Sequence, residues 1–141
     1  MRRALALAAL IAPLAAMAAP GTASAEKWTK YIDVANGTAW SYDADYSYKD
    51  NQTGRLVVMQ AISKPSANLG PSGPGKPDGV GSVYALDCTK KNMISLGGYS
   101  PGKPLNINAN WRSDTPKKAD GAENEALLAA VCPTLANAPT K

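Results

Sequence analysis

Apolar and polar positions alternate through several short runs of this chain, and turn-forming residues bound each run. Trp28 to Val34 (WTKYIDV) alternates as a half-buried strand does. Asn36-Gly37 follows it, the pair favoured in a tight type I′ hairpin because both central residues need positive φ. Thr38 to Asp43 (TAWSYD) then reads as the returning strand. Arg55 to Ile62 (RLVVMQAI) is β-rich and apolar enough to sit centrally in a sheet. Three further strands are expected over Ser82 to Asp87, Met93 to Tyr99 and Leu105 to Trp111, the last two separated by the turn SPGKP. Trp28, Trp40 and Trp111 each fall in an expected strand, where core packing is the default and a ligand-stacking platform the alternative.

The pattern changes twice. Between the third and fourth strands, residues 64–81 carry Pro65, Pro71, Pro74 and Pro77 among glycines, which excludes a regular element and leaves a long Gly/Pro loop, either mobile or functional. Near the end, DGAENEALLAAVC has helical propensity. Asp120 is the expected N-cap there, Glu123 its capping-box partner, and Pro133 the stop. The tail TLANAPTK is expected to be loose. About six short strands and one C-terminal helix make an α+β, mainly β fold: a small antiparallel sheet with the helix against it, or a barrel-like sheet closed by that helix.

The first 25 residues stand apart from this domain. Arg2 and Arg3, an apolar stretch from Ala4 to Ala18 and Ala23-Ser24-Ala25 are the three parts of a secretory signal peptide, with cleavage expected after Ala25. The apolar stretch is shorter than the roughly 20 residues of a spanning helix, and no cysteine near the cleavage point offers a lipoprotein anchor. Residues 26–141 then form one exported domain, periplasmic or secreted, with no transmembrane span. Losing Arg2 and Arg3 halves the formal charge of +4. Near balance gives no case for a nucleic-acid binder, which needs a strongly basic face.

Cys88 and Cys132 are the two cysteines. In an oxidising compartment they form most simply one disulfide, tying the end of a middle strand to the end of the helix. The chain-entropy model assigns such a link about 4 kcal/mol. Two buried thiols are the bland alternative, and a redox centre lacks the C-x-x-C spacing that poises a thiolate.

Side-chain chemistry narrows the function further. The chain has no histidine, so Ser-His-Asp triads, Cys-His pairs and the usual zinc sites cannot be built. Asp43, Asp45 and Asp50 crowd one stretch, read as an exposed turn without the pocket that would split the pKa values of an acid/base pair. A calcium loop would need Gly at its sixth position and Glu at its twelfth, where Tyr48 and Gly54 stand. GGYSPGKP shares only Gly and Lys with a phosphate-binding loop. No catalytic residue, metal ligand or cofactor is therefore expected. Lys90 and Lys91 follow Cys88 in a turn, and Lys103, Lys117 and Lys118 lie in later turns. These are either solvated turns or, if the fold gathers some of them, a modest cationic patch for acidic glycans or an acidic protein surface.

Taken together, the Trp28 strand, Trp40-Ser41-Tyr42-Asp43, RLVVMQAI, Ser82 to Cys88 with its basic turn, Gly98-Tyr99, Trp111 and the closing LLAAVC resemble the surface-adhesin protein E family of Gram-negative bacteria. The resemblance spans nearly all of residues 26–141 and implies an antiparallel sheet with a helix held by a cysteine bridge. It also implies a non-enzymatic cell-envelope protein in contact with host matrix or envelope components. Lys90 and Lys91 are the candidate partner contact, because they directly follow Cys88, whose disulfide would hold their turn rigid. The chain differs from that family in lacking the lipid-attachment cysteine and in carrying TKKN where relatives carry arginines. The alternative function is a periplasmic binding or inhibitor module acting on an envelope enzyme.

Overall fold

A computed structural model describes residues 27–34, 38–63 and 79–141. The expected signal peptide, the expected Asn36-Gly37 turn and residues 64–78 of the expected Gly/Pro loop lie outside the described residues. Seven strands form one antiparallel sheet: β1 (Trp28–Asp33), β2 (Ala39–Asp43), β3 (Tyr48–Lys49), β4 (Leu56–Ser63), β5 (Val80–Asp87), β6 (Asn92–Tyr99) and β7 (Lys117–Lys118). Their order is β1-β2-β4-β5-β6-β7, and β3 pairs with β4 beyond the end of β2. Among the described residues one α-helix, α1 (Ala122–Val131), follows.

The sheet is covered on both faces, which explains the unbroken apolar run of β4. Leu56, Val57, Val58, Met59 and Ala61 are all buried, although consecutive residues of a strand point to opposite faces. On one face Val57, Met59, Val83, Ala85, Ile94 and Leu96 pack beneath Trp111, Leu105 and Ile107. On the other, Leu56, Val58, Leu86 and Met93 pack against Leu127, Leu128 and Val131 of α1. The disulfide Cys88–Cys132 joins the end of β5 to the end of the helix, with the Cα atoms 5.8 Å apart.

Several expectations need correction. Leu105 to Trp111 is not a strand: residues 105–110 are irregular, and Trp111 opens a short 3-10 helix, Trp111–Ser113. The segment lies across the sheet face, where the Asn108 amide donates to the Leu96 carbonyl at 2.9 Å. It comes so close that a Cβ on Gly97 would sit 2.3 Å from the Asn106 carbonyl oxygen, so glycine is required there. Asn108 Oδ1 then accepts the Asn110 amide at 3.0 Å and turns the chain.

Asp120 does not cap α1. Gly121 is the N-cap, with φ of 90°, and no side chain closes the box. Asp120 is thereby displaced one residue upstream, where its carbonyl accepts from Asn124 Nδ2 at 2.9 Å. α1 ends at Val131, just before Pro133 as expected, and the chain continues as a 3-10 helix, Cys132–Asn137, with Pro133 in its first turn, where its missing N–H costs little.

The tail is not loose. Lys49 donates to the Pro139 carbonyl at 2.8 Å, Lys141 to the Lys49 carbonyl at 2.9 Å, and Asn51 to the Lys141 carbonyl at 2.8 Å. Tail and β3 form a parallel bridge at Lys49 and Thr140.

Candidate contact surface

The turn after Cys88 is built by its own residues. Asp87 Oδ1 accepts the amides of Thr89 at 3.0 Å and Lys90 at 2.8 Å, satisfying donors that the departing strand leaves free. Lys91 adopts φ of 52°, the one non-glycine residue with positive φ among the described residues, and this reverses the chain into β6. Both lysines are exposed. Their backbone is fixed from three sides: by the half-buried Cys88 of the disulfide, by the Asp87 carboxylate, and by the Ala119 amide, which donates to the Lys91 carbonyl at 2.9 Å.

That last bond brings in β7. Lys118 lies opposite Asn92 and Lys117 opposite Met93, so Lys90, Lys91, Lys117 and Lys118 share one end of the sheet. Arg55 joins them through a 2.7 Å bond from Nη1 to Asn92 Oδ1. Among the described residues, none of the four lysines has a carboxylate at ion-pair distance. Lys103 is not part of this group; its turn bonds back to Ser100, beyond the opposite end of β6. Sequence reading named the four lysines without knowing which turns meet, and it missed Arg55 entirely.

Two clefts flank this end. One, of about 240 Å³, is lined by Cys88, Cys132, Lys91, Ala119, Leu128 and Glu125, so the disulfide and a lysine of the turn border the same apolar hollow. The other, of about 540 Å³, lies between β6, β7 and the first turns of α1.

The aspartates are placed differently from the exposed turn expected of them. Asp43 and Asp50 are buried, and Asp45 alone is exposed. Asp43 stands where the chain breaks from β2 before resuming as β3, and its Oδ1 accepts the amides of Lys27 at 3.0 Å and Asp45 at 2.9 Å. Asp50 Oδ2 accepts the Thr53 amide at 2.9 Å, the Thr53 hydroxyl at 2.7 Å and Arg112 Nε at 3.1 Å, while Arg112 Nη2 grips Oδ1. The guanidinium holds the Asp50 carboxyl down at about 2. Arg112 also lies 4.6 Å over the ring of Trp111, so one side chain ties the segment covering one sheet face to the β3–β4 turn. Nothing in the sequence marks this pair, which is 62 positions apart.

Burial pushes the Tyr46 hydroxyl up to about 12 and moves Tyr31 and Tyr48 in the same direction. Among the described residues there is no group of three or more His, Cys, Asp or Glu placed to hold a metal ion, and no helix long and apolar enough to cross a membrane. No family model, curated protein or solved structure matches the chain.

Proposed function

We propose that residues 26–141 are an exported, non-enzymatic cell-envelope protein, similar to the surface-adhesin protein E family, that acts by contact with host matrix or envelope components. The observation that carries this reading is the meeting of Lys90, Lys91, Lys117 and Lys118 at one braced end of the sheet. Clustered ammonium groups without counter-ions among the described residues raise the local potential for an acidic partner. A turn fixed by a disulfide, two bonds from its amides to the Asp87 carboxylate and one backbone bond loses less conformational freedom on binding than a loose one. The signal sequence and the disulfide both suit an oxidising compartment outside the inner membrane.

The test is binding of the purified mature protein to immobilised matrix proteins and to heparin-like polymer at low and physiological salt. Lys90→Ala with Lys91→Ala should weaken binding by about tenfold, each exposed charge contributing up to roughly 1 kcal/mol. Raising the salt should weaken the wild type in the same sense. Full binding by the double variant, or binding indifferent to salt, overturns the reading.

A further inference from the structure

The larger cleft has the composition of a saccharide site. Its sheet side is Tyr84, Met93 and Ser95. Tyr84 and Ser95 are directly paired across β5 and β6, so their side chains share a face, and Tyr84 packs with the cluster beneath α1. The helix thus lies on the face to which Tyr84 and Ser95 belong but leaves this pair accessible: Tyr84 is half-buried and Ser95 exposed. Lys117 and Lys118 line the β7 side, and Asn124 lines the helix side.

We propose that this cleft binds one anionic sugar unit, a uronate or its sulfated form, within a longer acidic glycan. Three features converge on that chemistry. The volume, about 540 Å³, lies within the range of small-molecule sites. Tyr84 and Met93 give an apolar side suited to the C–H face of a pyranose, whereas Ser95, Thr115 and Asn124 give hydroxyl and amide groups for its hydroxyls. Asn124 spends Nδ2 on the Asp120 carbonyl, which leaves its Oδ1 to accept from a sugar hydroxyl.

Charge selects the anion. Lys117, paired with Met93, belongs to the face of the cleft, and Lys118 also lines it; Asp114, whose Oδ2 lies 3.5 Å from Asn108 Nδ2, is the one carboxylate in the lining. Lys118 is paired with Asn92, the residue after Lys91, so a chain seated in the cleft continues onto the Lys90–Lys91 turn. The inference deepens the contact reading and rests on it for the rest of the glycan.

The probe is a sulfated uronate disaccharide prepared from heparin, titrated against the full mature protein and read by calorimetry and amide chemical shifts. Its neutral, unsulfated and reduced counterpart and the long polymer serve as comparisons. Binding of the acidic disaccharide should move the amides of Tyr84, Ser95 and Lys117. Ser95→Trp, which fills the cleft from an exposed position, should weaken disaccharide binding at least about tenfold. Lys90→Ala with Lys91→Ala should leave the disaccharide within about twofold while weakening the polymer.

Equal binding of the neutral disaccharide, or acidic binding unchanged by Ser95→Trp, overturns the cleft proposal. A polymer that binds while the disaccharide does not overturns it too and leaves the lysine surface standing. Disaccharide binding lost in Ser95→Trp, together with polymer binding unmoved by the lysine variants, supports the cleft and removes the turn. Failure of both ligands removes both.

Discussion

The Ala119 amide donates to the Lys91 carbonyl at 2.9 Å, and this bond makes the turn after β5 and the two-residue strand β7 one structural unit. It adds to the β6–β7 pairing of Asn92 with Lys118 and Met93 with Lys117 in holding these lysines beside Lys90 and Lys91. The same unit is closed from behind by Cys88, so helix, turn and β7 share an anchor.

Opening that anchor should be costly. Cys88→Ser with Cys132→Ser returns loop entropy to the unfolded chain and should lower stability by about 4 kcal/mol. For a domain of this size that corresponds to a fall in Tm of roughly 15 °C or more. Urea unfolding of the double variant beside the wild type, each with and without reductant, checks it; a variant as stable as the oxidised wild type would refute the clamp.

The Asp50–Arg112 pair predicts the acid limb of the stability curve. The folded-state carboxyl titrates at about 2, below its ordinary 3.8, so the unfolded chain binds that proton more tightly than the folded one. The stabilisation is therefore fully present above 3.8 and is lost as the pH falls from there through about 2. Asp50→Asn should be less stable than the wild type at neutral pH and should converge on it as the pH falls. Parallel curves from pH 7 to 2 would show that the ion pair contributes nothing to the acid limb. Asp50→Ala, which also strips the Thr53 contacts, should cost about 3 kcal/mol.

Two neighbouring glycines should respond oppositely to one methyl group. Gly97→Ala drives a Cβ into the Asn106 carbonyl and should cost about 1–3 kcal/mol by lifting the 105–111 segment from the sheet. At Gly98, exposed, the nearest atom would be 3.9 Å away, and alanine should stay within about 0.5 kcal/mol. Quenching of Trp111 fluorescence by iodide reports the lifting directly and should rise only in the first variant.

Export predicts a defined chemical species. Protein recovered from the producing cell's envelope or medium should begin at Glu26 and carry no alkylatable thiol before reduction, as intact-mass analysis would show. A retained Met1, or two alkylated cysteines, contradicts it.

What the sequence made legible follows from what side-chain patterns report. β4 was readable because both faces are covered, and β5 and β6 because turns punctuate them, although β5 begins two residues earlier than expected, at Val80. Leu105 to Trp111 misled for an instructive reason. Alternation records an extended chain with one buried side, and a segment lying over a sheet face meets that condition as well as a strand does: Leu105 and Ile107 pack downward with no ladder beside them. β3, β7 and the tail were invisible because backbone bonds hold them, and two-residue strands carry no period. Arg112 and the burial of Asp50 could not be read from any local window, since each becomes intelligible only beside the other.

The order in which the chain covers its sheet bears on how it can be made. β1 to β6 are complete by Tyr99, yet Leu105 to Trp111, which cover one face, and Leu127 to Val131, which cover the other, are encoded after them. Under the export proposed above, the chain crosses a membrane amino end first and delivers the apolar strand β4 with both sides bare, and neither side is shielded until the last third of residues 26–141 has followed. Such an intermediate exposes strands suited to pairing with other chains. Its yield should depend on holding chaperones at the exit, and on translocation of the C-terminal segment keeping pace.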